Sequence, residues 1–405
     1  MIDDVDEDPE IAVGADAFTQ SGAGLEIAVV GGGAVGATAA YDLARKGADV
    51  TLYDRGQIAG GSSGRAAGVC YDAFADPLDA EIGGDAIERF RVLSGDETFP
   101  FVECPYVWFA QAGDADRAEA IRGQVERMQE NGTVALEADD DALADRFDAL
   151  ETDDVAAAGI AGAAGYTDPA KYTACLAAAA DGAGATLAPD TPVEVRYDPP
   201  RVVRTEPRSA GESEREREVD AVVVAAGAHT KRVLADAGVS IAMKPYRVQA
   251  LVADCDLSEP MWYDATENYY VRPHPDGLLA GDGTERVEAD PDEYDRNADP
   301  GFADDLLGRV RGRLPDASVE LERAWAGLCT ATPDRDPLVG EVRDGLYVAT
   351  GFHGHGFMRA PAIGQRLAED VLGEDGIDAF DPTRFDGDEA FEVVDGMSIE
   401  AETER

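Results

Sequence analysis

An α/β fold in two domains is predicted. One domain is built on a parallel sheet assembled from separate stretches of chain. The other is an α+β unit on a mixed or antiparallel sheet. Three observations carry this. Residues 25–54 read as strand, helix and parallel strand. Residues 219–226 are almost wholly apolar, which suits a strand buried on both faces. Residues 240–285 alternate apolar and polar, which suits antiparallel strands.

The elements follow in order. Leu25 to Val30 is a short β-rich run that breaks at Gly31-Gly32-Gly33. A helix runs from Ala34 to Lys46, with Val35, Ala39, Leu43 and Ala44 on one face, and Gly47 ends it. Ala48 to Tyr53 is the second strand, with Asp54 at its end. Residues 81–94, 114–130 and 139–150 read as helices, and Phe101 to Ala110 as one strand. Pro169 to Ala183 is a helix with proline in its first turn and Gly182 near its stop. Thr186 to Val195 is extended, and the charged residues 206–218 suit a hairpin tip. Arg247–Ala253, Tyr269–Pro273 and Leu278–Gly281 are strands, and 299–313 is a helix. Gly345 to Thr350 is a strand. Ala360 to Leu372 is a helix whose stripe is Ile363, Leu367, Val371 and Leu372.

The expected domain limits are 25–80, 165–235 and 330–385 for the parallel-sheet domain, and 81–164 and 236–329 for the other. Residues 1–24 carry seven acids and no base and read as a disordered leader. Residues 386–405 form an acidic tail.

The chain carries 83 Asp+Glu against 34 Lys+Arg, a net charge of -49. No basic stretch exists to track a phosphate backbone, which excludes a general nucleic-acid binder. An anionic membrane surface would repel it for the same reason. The 44% hydrophobic content excludes a disordered acidic chain. The four lysines are Lys46, Lys171, Lys231 and Lys244, and every other basic residue is arginine. This composition resembles that of proteins from salt-in halophilic archaea. The five cysteines (Cys70, Cys104, Cys175, Cys255, Cys329) form no CxxC pair and no zinc spacing. With no apolar run of about 20 residues, a soluble cytoplasmic protein is expected, without membrane insertion and with an oligomer left open.

Chemistry is carried by four segments. Gly31-x-Gly33-x-x-Gly36 follows a strand and opens a helix, and Asp54 stands 18 residues beyond Gly36. Gly31 permits the tight turn, and Gly33 lets backbone approach a pyrophosphate at the helix N-terminus. Gly36 lets helix and strand pack closely. Asp54 can accept both hydroxyls of an adenosine ribose and disfavours a 2′-phosphate. A second small-residue loop, Gly60-Gly61-Ser62-Ser63-Gly64-Arg65-Ala66-Ala67-Gly68, favours FAD over NAD, because the flavin extends far beyond the pyrophosphate. Val222–Ala226 then Gly227-Ala228-His229 ends a buried strand in small residues. Gly351-Phe352-His353-Gly354-His355-Gly356-Phe357-Met358 puts glycine and histidine between a strand and a helix, where backbone N–H groups can meet a flavin edge. No third ligand stands near His353 and His355 to make a zinc site.

Together these segments resemble the D-amino-acid oxidase superfamily of FAD enzymes, which includes sarcosine and glycine oxidases, dimethylglycine dehydrogenases and proline dehydrogenase β subunits. The resemblance runs from about Glu26 to Phe385. It rests on GGGxxG, SSGRAAG, GYTDPAKY, VVVAAGAHT, TPDRDPLVG and GFHGHGF in that order. It implies a discontinuous Rossmann-like FAD domain and a substrate domain on a mixed sheet, with the flavin between them. It implies hydride transfer to flavin N5 from the carbon of a C–N bond next to a carboxylate, in glycine, sarcosine, proline or a D-amino acid. The implied cofactor set is Gly31, Gly33, Ala34, Val35, Gly36, Asp54, Arg55, Gly61, Ser62, Ser63, Arg65, Ala66, Ala67, Gly68, Val193, Ala226, Gly227, Gly327, Asp334, Gly354, His355, Gly356, Phe357 and Met358.

Two departures from the resemblance matter. Where several sarcosine oxidases carry a flavin-linked cysteine, the matching residue is Gly327, so non-covalent FAD is expected. Where related oxidases carry lysine after GHGF, this chain has Met358, and Asn268–Pro273 contains no lysine either. That favours a dehydrogenase over an oxidase, with a quinone, a partner flavoprotein or oxygen as acceptor. Arg65, Arg272 and Arg359 are the candidate carboxylate anchors. Tyr270 shares a strand face with Arg272, and His355 is expected at the flavin edge. The alternatives are a 2-hydroxy-acid dehydrogenase, or a non-catalytic FAD-binding subunit of a larger complex.

Overall fold

The computed structural model describes residues 21–95, 98–205 and 216–394. Most of the leader, the tip at 206–215 and the tail from 395 lie outside the described residues. A six-stranded sheet has the order 338–343, 346–350, 221–224, 26–30, 49–53, 186–188. Its last five strands run parallel and the first is antiparallel to its neighbour. An eight-stranded sheet has the order 320–331, 244–254, 277–284, 269–274, 261–264, 106–111, 155–161, 135–138. It is mixed, because Met261–Asp264 pairs parallel with Tyr106–Phe109 and the other pairs are antiparallel. Two three-stranded sheets are separate from these, in the orders 193–196, 201–204, 216–218 and 69–71, 164–167, 101–103.

Helix Ala34–Arg45 is sandwiched between Pro169–Gly182 and Gly356–Val371. Glycines permit the close contacts. A Cβ on Gly36 would lie 2.0 Å from the Gly31 carbonyl oxygen, and one on Gly364 would lie 2.5 Å from Thr38 Cβ. Both are far inside van der Waals contact, so any side chain there forces the helix off its neighbour.

Several elements differ from the sequence expectation. Phe101–Ala110 is two strands, Phe101–Glu103 and Tyr106–Gln111, in different sheets. The break falls at Cys104-Pro105, and proline lacks the N–H that would continue a ladder. Thr186–Val195 likewise divides into Thr186–Ala188 and Val193–Arg196, with Pro189 and Pro192 between. The last helix begins at Gly356, so Phe357 and Met358 stand in its first turn and His355 is its N-cap. Pro361 lies inside this helix, which is why the apolar stripe alone places the start later. The strands Val155–Ala161 and Glu320–Ala331 were not anticipated. The first is mostly alanine and glycine and carries little β signal. The second opens on four exposed residues and lacks clean alternation. Among the described residues no helix is long and apolar enough to cross a membrane.

Candidate active site

The C-terminal ends of the parallel strands face the large mixed sheet across a cavity of about 800 Å³. At one end stands the Gly31–Gly36 turn. Asp54 is held there by two backbone donors, Gly32 N–H to Oδ2 at 2.7 Å and Gly56 N–H to Oδ1 at 2.8 Å. Each oxygen keeps a free lone pair for a ribose hydroxyl. Ser63 Oγ accepts from Ala34 N–H at the helix start, at 2.9 Å. Ser62 Oγ donates to the Leu328 carbonyl at 2.7 Å and ties this loop to the mixed sheet.

Arg65 continues the same wall. Its Nη1 donates to the carbonyls of Gly60 and Gly61 at 2.9 and 3.0 Å, and Trp325 Nε1 donates to its carbonyl at 3.2 Å. At the far end stand Tyr71, Tyr106, Tyr263, Tyr270, Phe352 and His355. Pro291, Asp292, Tyr294 and Arg296 also line the cavity. Asp292 accepts from Arg55 at 2.8 Å, from His229 at 3.0 Å and from Arg232.

Nearly all of the expected site residues line this one cavity. The exceptions are Gly36, Asp334, Arg272 and Arg359. Gly36 packs on the Gly31 backbone instead. Asp334 is occupied by the Arg384 guanidinium at 2.8 and 3.0 Å. Arg272 shares the face of Tyr270, but its buried guanidinium turns to the carbonyls of Ala67 and Pro273 and lies over the Tyr166 ring at 5.1 Å. It thereby fixes the loop that bears Ala66 and Ala67. Arg359 is paired with Asp79 at 2.8 Å and lies over Phe74 at 4.7 Å. Tyr71, Tyr106, Arg232 and Asp292 line the cavity without having been singled out in the sequence. Tyr71 had a usable signal, since it follows the Gly60–Gly68 loop by three residues. Asp292 had none, because it is one acid among many.

The electrostatics separate the histidines. His353 has a left-handed backbone, φ 48, and its Nε2 accepts from Thr332 N–H at 2.8 Å. Its proton therefore sits on Nδ1, which is buried without a partner among the described residues. Burial and then Arg335 push its pKa down to about 4. Burial, then Arg359 and His353, push His355 down to about 3. Both stay neutral at physiological pH, and a pKa lowered this far makes His355 a weak base toward a substrate ammonium.

An acid sensitivity follows. The unfolded chain protonates these histidines near pH 6.5 and the folded one does not until far lower. Their contribution to stability is complete above about pH 6.5 and is lost as pH falls toward their folded values, by up to about 1.4 kcal/mol per unit for each. Urea midpoints at pH 7 and pH 5 in constant salt should show the drop. His353→Gln should flatten it.

An open-edged parallel sheet, a glycine turn at a helix N-terminus and an acid at the end of the second strand define a dinucleotide-binding oxidoreductase fold. The family model for FAD dependent oxidoreductase (DAO) matches residues 26–370, and the chain belongs to that family. It is 28% identical over 398 residues to human mitochondrial dimethylglycine dehydrogenase, covering 89% of this chain and 44% of that protein. The chain thus spans less than half the length of that relative. It is 27% identical over 378 residues to glycine oxidase of Geobacillus kaustophilus, covering 85% of this chain and 92% of that one. The crystal structure of L-proline dehydrogenase from P. horikoshii superposes with a TM-score of 0.79 at 25% identity, covering 89% of this chain and 98% of that one.

The residues present fit FAD. Gly61, Gly227 and Gly354 have nothing within 4 Å of where a Cβ would stand, so the cradle is open where backbone must approach a ligand. Asp54 would hold the ribose, the turn and Ser63 the pyrophosphate, and the His353–Met358 segment the flavin edge.

Proposed function

We propose that this chain oxidises the C–N bond of a small amino acid, primary, N-methylated or cyclic, with non-covalently bound FAD. We infer a dehydrogenase rather than an oxidase. One observation carries the reading. A single cavity joins the Asp54–Gly33 dinucleotide end to a wall of tyrosines and His355, with Arg65 between and no lysine lining it. The relatives named dimethylglycine dehydrogenase and glycine oxidase support the substrate class. Bound FAD would supply the hydride acceptor. The chain's own residues hold the substrate against it and exclude water.

Of the candidate anchors, Arg65 alone lines the cavity, and we assign the substrate carboxylate to it. Two glycine carbonyls hold its Nη1, which orients the guanidinium before substrate arrives. Arg65→Ala should cost about 2–5 kcal/mol of binding, because the carboxylate is left buried and unpaired. KM should rise at least about thirtyfold. An unchanged KM would remove Arg65 from the substrate carboxylate.

The FAD should come off on acid or heat denaturation. Gly327 offers no thiol, and burial pushes the Cys329 thiol up to about 11, so it is not a thiolate. Flavin that stays with the precipitated chain would refute this. The substrate class is tested by anaerobic mixing of the yellow protein with sarcosine, dimethylglycine, proline, glycine and D-alanine. Bleaching of the flavin band by at least one is expected. Bleaching by 2-hydroxy acids alone would overturn the amine reading.

A further inference from the structure

Three buried side chains from three elements meet at the far end of the cavity. Tyr71 ends the strand Val69–Tyr71, Tyr106 begins Tyr106–Gln111, and His355 caps the helix Gly356–Val371. All three line the cavity. The Tyr71 and Tyr106 rings stack at 4.3 Å and 7°. Tyr71 meets the imidazole edge-on at 6.3 Å, and Phe74, itself 5.3 Å from Tyr71, does the same at 5.7 Å. The Tyr71 hydroxyl lies 3.2 Å from His355 Nε2, and the stacking sets the Tyr106 phenol directly beside that of Tyr71. His355 Nδ1 has no partner among the described residues and is not one of the buried orphan atoms. It is the nitrogen left for the cavity.

Each phenol has one proton to give. Tyr71 therefore donates either to Tyr106 or to His355. The bare nitrogen of a neutral imidazole is a much stronger acceptor than a phenol oxygen, so the Tyr71 proton goes to Nε2. The Tyr71 oxygen is then left to accept from the Tyr106 phenol beside it. The opposite direction would use the weaker acceptor twice. A neutral imidazole carries one proton, and with Nε2 occupied it stands on Nδ1.

We propose that Tyr71 and Tyr106 are positioning residues that hold His355 as a neutral imidazole protonated on Nδ1, giving the cavity a fixed N–H donor instead of a base. The donor sits at a helix N-terminus, where the dipole adds to its pull on negative charge. Its partner is an acceptor oxygen or nitrogen of the cofactor or of the substrate carboxylate. The role rests on the reading that this cavity holds FAD, but the tautomer itself does not.

The chain has only four histidines, so ring 15N NMR resolves them, and single substitutions assign them. His353, whose Nε2 accepts from Thr332, is an internal standard for the Nδ1–H form. His355 in the FAD-loaded protein should match it, with no titration between pH 5 and pH 9. In Tyr71→Phe, which keeps the stacked ring and loses the hydroxyl, the proton should redistribute toward Nε2. The flavin midpoint potential should become more negative, and kcat should fall about tenfold or more with KM little changed. Tyr106→Phe should move the same signals less. A wild-type His355 protonated on Nε2 overturns the proposal whether or not the variants fold, and so does a Tyr71→Phe spectrum identical to wild type. If the protein binds no FAD, the functional reading fails while the ring nitrogens still decide the tautomer.

Discussion

In 3 M KCl the protein is expected to melt on the order of 10 °C or more above its midpoint in 0.1 M KCl. The cause is the net charge of -49. The basic residues already have partners. Lys46 reaches Glu374 at 2.8 Å, Arg366 reaches Glu81 and Asp85 at 2.6 and 2.7 Å, and Arg232 reaches Asp290 at 2.7 Å. Salt weakens these exposed pairs, which are worth little individually. It weakens the repulsion among the excess acids much more, because that sum runs over every pair. The Debye length falls from about 10 Å at 0.1 M to about 3 Å at 1 M, shorter than typical spacings between surface carboxylates. Sucrose at matched water activity separates charge screening from exclusion at the surface. A midpoint that does not move between the two KCl concentrations would show that charge repulsion does not limit this fold.

The parallel sheet and its turn were legible because their signals are local. Leu25–Val30 is apolar but for Glu26, three glycines break it, and the helix period begins at once. The same holds for Val219–Ala226, where a run apolar but for Asp220 states a buried strand. The mixed sheet was only partly legible. Its strand Glu320–Ala331 pairs with Lys244–Asp254 far back in the chain, and nothing local announces such a partner. Its strand Val155–Ala161 is made of small residues, and the reason lies across the sheet. A Cβ on Gly159 would lie 2.2 Å from the Trp108 ring, so the tryptophan, not the strand's own propensity, dictates glycine there.

The cofactor end of the site was legible for the same local reason, and the substrate end was not. Strand period placed Arg272 on the cavity face beside Tyr270. The backbone fixes only the direction of Cβ, and the long side chain turned away to the Ala67 carbonyl. Tyr71 and Tyr106 lie 35 residues apart and meet only because Cys104-Pro105 divides one apparent strand into two. The last helix, begun one turn earlier than its apolar stripe suggests, is what brings His355 to them.

The reduced enzyme, mixed with air-saturated buffer, is expected to reoxidise at least about a hundredfold more slowly than with an artificial dye. Reaction with oxygen produces superoxide, and a fixed ammonium near the reduced cofactor would stabilise that anion. Removing one such electrostatic contact typically costs about 10²–10³ in rate. Each lysine of this chain is placed elsewhere. Lys46 is paired with Glu374, Lys171 lies 3.9 Å from Asp168, Lys231 lies 3.6 Å from Glu288, and Lys244 donates to the Phe391 carbonyl at 2.5 Å. Met358, at the helix start beside His355, is uncharged and nearly buried. Of the four arginines that line the cavity, Arg55 and Arg232 are engaged by Asp292, Arg65 is held by two carbonyls, and Arg296 lies over the Tyr294 ring at 5.8 Å. His355 is neutral, because burial and Arg359 hold its pKa near 3. No compact cation is therefore available at the far end, and guanidinium spreads its charge over a plane that a small anion uses poorly. The comparison is made by stopped flow on one preparation, reduced with excess substrate in molar salt, with each acceptor in turn. Oxygen reoxidising the protein as fast as the dye would end the dehydrogenase reading. It would also show that Arg65, or the dipole of the helix that His355 caps, can do what the missing lysine does in related oxidases.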